Sequence, residues 1–204
     1  MGNRTLYGLA SSRAFRSVWA IEEVGVEYEH VPTNFAGDSK TPEYLAVNPN
    51  GRIPALVDGD LVLFESMAIN LYLAERYGDG LYPDSVEDRA RTHQWSVWGI
   101  SEIEPLQMQM IVQMYFTPEE KKKPKLIESA KKGLERPLSV LDAHLADRDY
   151  LLGDAFTIAD LNLASVIDLL GGMGQHDYSA HSNVKRWTDA CYARPSYAAA
   201  KKRD

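Results

Sequence analysis

The run Asn48-Pro49-Asn50-Gly51-Arg52-Ile53-Pro54-Ala55-Leu56-Val57, followed by Phe64-Glu65-Ser66-Met67-Ala68-Ile69, combines a turn, a proline at the mouth of a strand and an acidic-hydroxyl pair opening a helix. Pro54 cannot donate a hydrogen bond to a β-ladder, so it belongs at the first residue of a strand or at a sheet edge. A cis peptide bond before it would hold a tight turn and leave the N–H and C=O of Ile53 unpaired and exposed. Such a pair can take up an extended peptide as though it were an added strand. Close by, Ser66 can cap a helix over Met67–Tyr77. A helix N-terminus with open N–H groups holds carboxylates well. A backbone grip beside an anion pocket suits a short anionic peptide.

The elements that must position these residues follow from the pattern around them. Thr5–Leu9 reads as a short buried strand in which Gly8 allows a close backbone approach. Ser11-Ser12 then precedes a helix over Arg13–Val24, closed by Gly25. Val26–Pro32 alternates as a second strand, and Pro42–Val47 is a short helical stretch. Strands Ala55–Val57 and Leu61–Leu63 are joined by Asp58-Gly59-Asp60, a strong hairpin signal. Beyond Tyr82-Pro83-Asp84 the strand patterns stop. Helices are expected over Val86–Phe116, Lys125–Leu145, Ile158–Leu170, Val184–Ala193 and Tyr197–Lys202, with Pro105 and Pro137 kinking or dividing the two long ones. Thr157-Ile158-Ala159-Asp160 has the form of a capping box with Asp in place of Glu or Gln, so Asp160 reads as structural. The fold class is α+β: a thioredoxin-like βαβ-ββα domain over residues 1–80, a linker over 81–85, and an all-α domain over 86–204.

The 204 residues suffice for a sizeable core. A formal charge of −7 argues against a general nucleic-acid binder. The single cysteine, Cys191, excludes an intramolecular disulfide and points to a reducing compartment. The start, Met1-Gly2-Asn3-Arg4-Thr5, runs into a strand pattern without an apolar signal core, and no apolar run approaches a membrane span. A cytoplasmic protein with no membrane partner is expected. His176 and His181 lack metal-ligand spacing, so no metal is expected.

Three pieces of this chain, in this order, closely resemble the cytosolic glutathione transferase family: Asn48–Leu56, the Glu65-Ser66 pair, and Tyr150-Leu151-Leu152-Gly153-Asp154-Ala155-Phe156-Thr157-Ile158-Ala159-Asp160. The resemblance runs from Leu6-Tyr7 to Arg194-Pro195-Ser196-Tyr197. Leu6–Val18 is most similar to the serine-type classes (zeta, phi, theta and their bacterial relatives). Arg13 stands where the zeta class continues with Cys, which weakens an isomerase role of that class.

The resemblance implies that the anionic peptide is glutathione, used as co-substrate, and that the protein is a homodimer. It places the thiol-activating hydroxyl at Ser12, with Ser11 and Tyr7 as alternatives. Ile53 would bind the cysteinyl part through its backbone, with Pro54 fixing the geometry. Glu65 would face the ammonium of the γ-glutamyl end and Ser66 its carboxylate. Ser39, Lys40 and Arg52 are the candidate donors for the glycine carboxylate. Leu9, Ala10, Gln107, Met108 and Tyr115 are the candidate lining of a pocket for an electrophilic, mostly apolar small molecule. The implied activity is attack of a glutathione thiolate on that electrophile. Glutathione-dependent peroxidase or isomerase activity, and a non-catalytic binding or assembly module, are the alternatives.

Overall fold

The structure, a computed structural model, describes residues 4–203. The reading of the Met1-Gly2-Asn3 start therefore falls outside the described residues. The chain forms two compact units: Met1–Pro83 together with Tyr192–Asp204, and Asp84–Cys191.

In the first unit β1 (Arg4–Tyr7), α1 (Phe15–Val24) and β2 (Glu29–Val31) are followed by α2 (Pro42–Val47). Then come β3 (Ala55–Asp58), β4 (Leu61–Phe64) and α3 (Ser66–Tyr77). The sheet order is β2-β1-β3-β4, with β1 parallel to β2 and antiparallel to β3. This is the thioredoxin-like layout, and its reasons are local. Asp58 pairs with Leu61, leaving Gly59-Asp60 as a two-residue loop in which Gly59 takes φ 61°, a conformation that suits glycine. Along β1 the side chains alternate: Leu6 is fully buried, while Tyr7 meets Tyr44 of α2 edge-on at 5.8 Å. α1 carries the fully buried Val18, Trp19 and Ile21 and ends at Gly25, whose left-handed conformation turns its N–H onto the Ile21 carbonyl.

α1 begins two residues later than its apolar stripe suggests. Residues 10–14 are turns, because the Ser12 hydroxyl and carbonyl take the N–H groups of Ala14 and Phe15 at 3.1 and 3.0 Å. The C-terminal segment also differs from the helical pattern, which alone would group it with the second domain. It packs on α1 instead, through α9 (Pro195–Ala200). Trp19 donates its indole N–H to Ser196 at 3.1 Å and meets Tyr197 edge-on, and Arg194 pairs with Glu23. An aromatic cluster joined to a half-buried ion pair outweighs the chain's sequence position.

The second unit is helical: α4 (Val86–Trp98), α5 (Glu104–Ile111), α6 (Pro124–His144), α7 (Ile158–Gly171) and α8 (Ser182–Tyr192), whose last residue belongs to the first unit. Pro105 divides the first long helix. It has no N–H for the Ser101 carbonyl, and a wider π-helical turn over Gly99–Ile103 absorbs the mismatch ahead of α5. A second π turn, Val112–Phe116, follows α5. Pro137, by contrast, lies inside α6 without dividing it. No helix among the described residues is long and apolar enough to cross a membrane.

Nearly all of α7 is buried, and Asp160 organises its start. The carboxylate, fully buried, accepts the N–H groups of Leu151 (2.8 Å) and Thr157 (2.9 Å), the Thr157 hydroxyl (3.0 Å) and the Trp187 indole N–H (2.9 Å). Burial pushes its pKa up, against the pull of these donors. Removing the side chain orphans buried donors of three residues. Asp160→Ala is therefore expected to lower the stability of the helical unit by about 3 kcal/mol in denaturant unfolding. A loss below about 1 kcal/mol would show that the network is replaceable by water.

Candidate active site

Gly8 ends β1 with φ 138°. A Cβ built there would lie 2.5 Å from the Cβ of Ala14, 3.4 Å from that of Ile53 and 3.6 Å from the Cα of Pro54. Only a residue without a side chain lets the β1–α1 turn and the Ile53–Pro54 turn meet. That junction brings the Ser12 turn beside Ile53.

Ser12 is half-buried. Its hydroxyl donates to the Leu9 carbonyl at 2.7 Å and accepts the Ala14 N–H at 3.1 Å, and its own N–H bonds the same Leu9 carbonyl at 3.0 Å. The single hydroxyl proton is thus held by Leu9 until a better acceptor arrives. Ser11 is exposed; Leu9, Ala10 and Tyr7 are half-buried.

The Ile53–Pro54 peptide bond is cis. Neither the N–H nor the C=O of the half-buried Ile53 has a hydrogen-bond partner among the described residues. The turn behind it is held tightly. Asn48, 2 % exposed, donates its amide to the Arg52 carbonyl at 2.7 Å and accepts the Asn50 N–H at 3.1 Å. The Tyr44 hydroxyl donates to the same Arg52 carbonyl at 2.6 Å. Burial pushes the Tyr44 phenol up to about 12, so it remains a donor at physiological pH. The sequence assigns neither residue a role, although Asn48 opens the run named above. Asn48 carries a detectable signal, an Asn two residues before a second Asn whose backbone it can bond. Tyr44 carries none, because an aromatic residue on an amphipathic stretch reads as core.

Glu65 and Ser66 begin α3. The expected Ser66 cap is not formed. Glu65 is the N-cap, exposed, with φ 73° and ψ 112°, and Ser66 is already the first helical residue. No side chain caps α3. A glutamate with positive φ is an uncommon conformation of the kind that collects at functional sites, costing about 1–3 kcal/mol. It leaves both side chains without a protein partner among the described residues, next to the open N–H groups of the helix start.

The three candidate carboxylate donors separate. Ser39 is fully buried and its hydroxyl donates to the Phe35 carbonyl at 2.8 Å, so it presents nothing to a ligand. The Lys40 ammonium bonds the Gly51 carbonyl and keeps further N–H groups free of that contact. The Arg52 guanidinium is exposed and has no partner among the described residues.

In the helical unit, Gln107 is fully buried, with neither amide atom hydrogen-bonded, so it has no exposed surface to line a pocket. Met108 is half-buried. Tyr115 is 48 % exposed, and its hydroxyl accepts the Gln175 amide at 2.9 Å. Among the described residues no three His, Cys, Asp or Glu side chains gather as metal ligands would.

The family model for the N-terminal domain of glutathione S-transferase matches residues 3–75, and that for the C-terminal domain matches residues 103–195. Glutathione S-transferase 3 of Zea mays is 36% identical over 201 residues, covering 94% of this chain and 90% of that protein. A theta class glutathione S-transferase from Xanthomonas axonopodis pv. citri, solved with glutathione bound, is 33% identical. It superposes with a TM-score of 0.89 over 100% of this chain and 99% of its own. A glutathione transferase from Burkholderia graminis, with two glutathione molecules per subunit, is 30% identical with a TM-score of 0.88, covering 97% and 87% of the two chains. With both domains matched and relatives alike over nearly their whole length, the chain belongs to the glutathione S-transferase family.

Proposed function

We propose that this chain is a serine-type glutathione transferase: it binds glutathione on the thioredoxin-like unit and uses Ser12 to hold the cysteinyl sulfur as a thiolate. The observation that carries the reading is the close approach, at Gly8, of the turn that bears Ser12 to the turn that bears the unpartnered Ile53 backbone. Ile53 takes the cysteinyl backbone as an added strand. Glu65 meets the ammonium of the γ-glutamyl end. Its carboxylate is received by Ser66 and the open N–H groups of α3. Arg52 and Lys40 receive the glycine carboxylate, and Ser39 holds their loop.

Ser12 discriminates between thiol and thiolate because its proton must leave Leu9. A neutral hydrogen bond nets about 1 kcal/mol, and one to a charged acceptor about 1.5–3 kcal/mol. The exchange is therefore favourable only when the sulfur is ionised. A difference of about 1.4 kcal/mol is one pKa unit, and the start of α1 adds to it. The thiol proton goes to solvent. The sulfur lone pair then forms a bond to an electrophilic centre, and that centre's leaving group, or the displaced π pair, takes the charge. Leu9 and Ala10, next to Ser12 in the chain, are the proposed electrophile contacts on the thioredoxin-like unit.

A cytoplasmic homodimer fits this reading. Each unit offers exposed apolar surface for self-association, Val62 and Phe64 on β4 in one and Val86 and Val97 on α4 in the other.

Thiolate absorbance of bound glutathione, titrated with pH, tests the central role. Ser12→Ala should raise the bound pKa by about one unit while affinity changes little. An unshifted titration in the wild type would point to a non-catalytic binding module, and a shift that survives the mutation would move the role to Ser11 or Tyr7. Glu65→Gln and Ser66→Ala should behave oppositely. Each is expected to weaken glutathione binding about tenfold in calorimetry and leave the thiol pKa in place.

A further inference from the structure

β2 reaches the junction at Gly8 from the side away from Ile53. The Gly8 N–H donates to the Val31 carbonyl at 3.1 Å, and the His30 Nε2 lies 2.8 Å from the Gly8 carbonyl oxygen. A carbonyl has no proton to give, so Nε2 carries the hydrogen and donates. Both polar groups of Gly8 are thereby fixed to β2, one by the ladder and one by a side chain. The imidazole itself is half-buried and packs against Tyr28, with ring centroids 6.3 Å apart.

What lies downstream gives this contact its meaning. The Gly8 carbonyl belongs to the peptide unit that enters Leu9. The Leu9 carbonyl, in turn, holds both the hydroxyl at 2.7 Å and the N–H at 3.0 Å of Ser12. Gly8 has no side chain to restrict its own rotation, and glycine is the residue least able to hold a turn by itself. Without the imidazole, Gly8 keeps only its N–H bond to Val31, and the peptide unit that enters Leu9 loses the hold on its carbonyl.

We propose that His30 is a positioning residue for thiol activation: by pinning the Gly8 carbonyl it fixes the turn that aims the Ser12 hydroxyl. The inference rests on the thiolate reading above and assigns His30 no contact with substrate. Because His30 donates through Nε2, Gln reproduces the donor and Leu removes it at similar bulk.

Three proteins, wild type, His30→Leu and His30→Gln, are compared by thiolate absorbance titration of bound glutathione, glutathione affinity and thermal unfolding. The expected result is a bound pKa raised by about half a unit to one unit in His30→Leu, with affinity within about twofold, and wild-type behaviour restored in His30→Gln. A His30→Leu titration that overlays the wild type would overturn the proposal. So would equal losses of affinity, melting temperature and pKa shift in both variants, which would make His30 a support of the fold alone. If wild type itself titrates like free glutathione, the thiolate reading fails before either variant is considered, and the role of His30 falls with it.

Discussion

The missing side chain at Gly8 is the constraint on which the site depends. Two turns that serve different ends, one carrying a hydroxyl and one carrying an open backbone, cross within van der Waals distance of its Cα hydrogens. Any side chain would drive Ala14 away by more than a thermal fluctuation, since the built Cβ already sits 2.5 Å from its neighbour. The approach of the β1–α1 turn to the Ile53–Pro54 turn is therefore a property of packing at one residue, while the aim of the Ser12 hydroxyl depends on how its own turn is held.

Around that crossing, the polar groups that hold the loops are saturated and those left for a ligand are not. Tyr44 and Asn48 both spend donors on the Arg52 carbonyl, and Ser39 spends its hydroxyl on Phe35. Ile53, Glu65 and Ser66 spend nothing comparable on the protein. The half-buried Ile53 backbone, the exposed Glu65 and the uncapped start of α3 at Ser66 are the groups left for a ligand. Ser12 sits between these classes, with its proton lent to Leu9 and recoverable by a charged acceptor.

Much of this was legible in the sequence where a local rule has few competitors. Asp58-Gly59-Asp60 admits little besides a tight hairpin, and Pro54 cannot sit inside a central strand. Thr157 and Asp160 form their capping box because both side chains lie one helical turn apart. The misses come from tertiary choices. Serine is a good N-cap by propensity, yet here Glu65 takes the capping position with positive φ, which frees Ser66. Nothing in the spelling of Asp38-Ser39-Lys40 says which of the last two is turned inward. The docking of Arg194–Ala200 onto α1 depends on Trp19, Glu23 and Tyr197 meeting across more than 170 residues of chain.

Ionisation of the bound sulfur is read from the protons released on binding. Free thiols have a pKa of about 8.5, and a bound value near 6.5 would ionise most of the sulfur at pH 7.5. Calorimetric titration with glutathione in buffers of different ionisation enthalpy should then show about 0.8 proton released per molecule bound. S-methylglutathione, which has no thiol proton, should release none while binding through the same backbone and carboxylate contacts. Equal proton counts for the two ligands would contradict the account, because the site would then recognise the peptide without activating its sulfur.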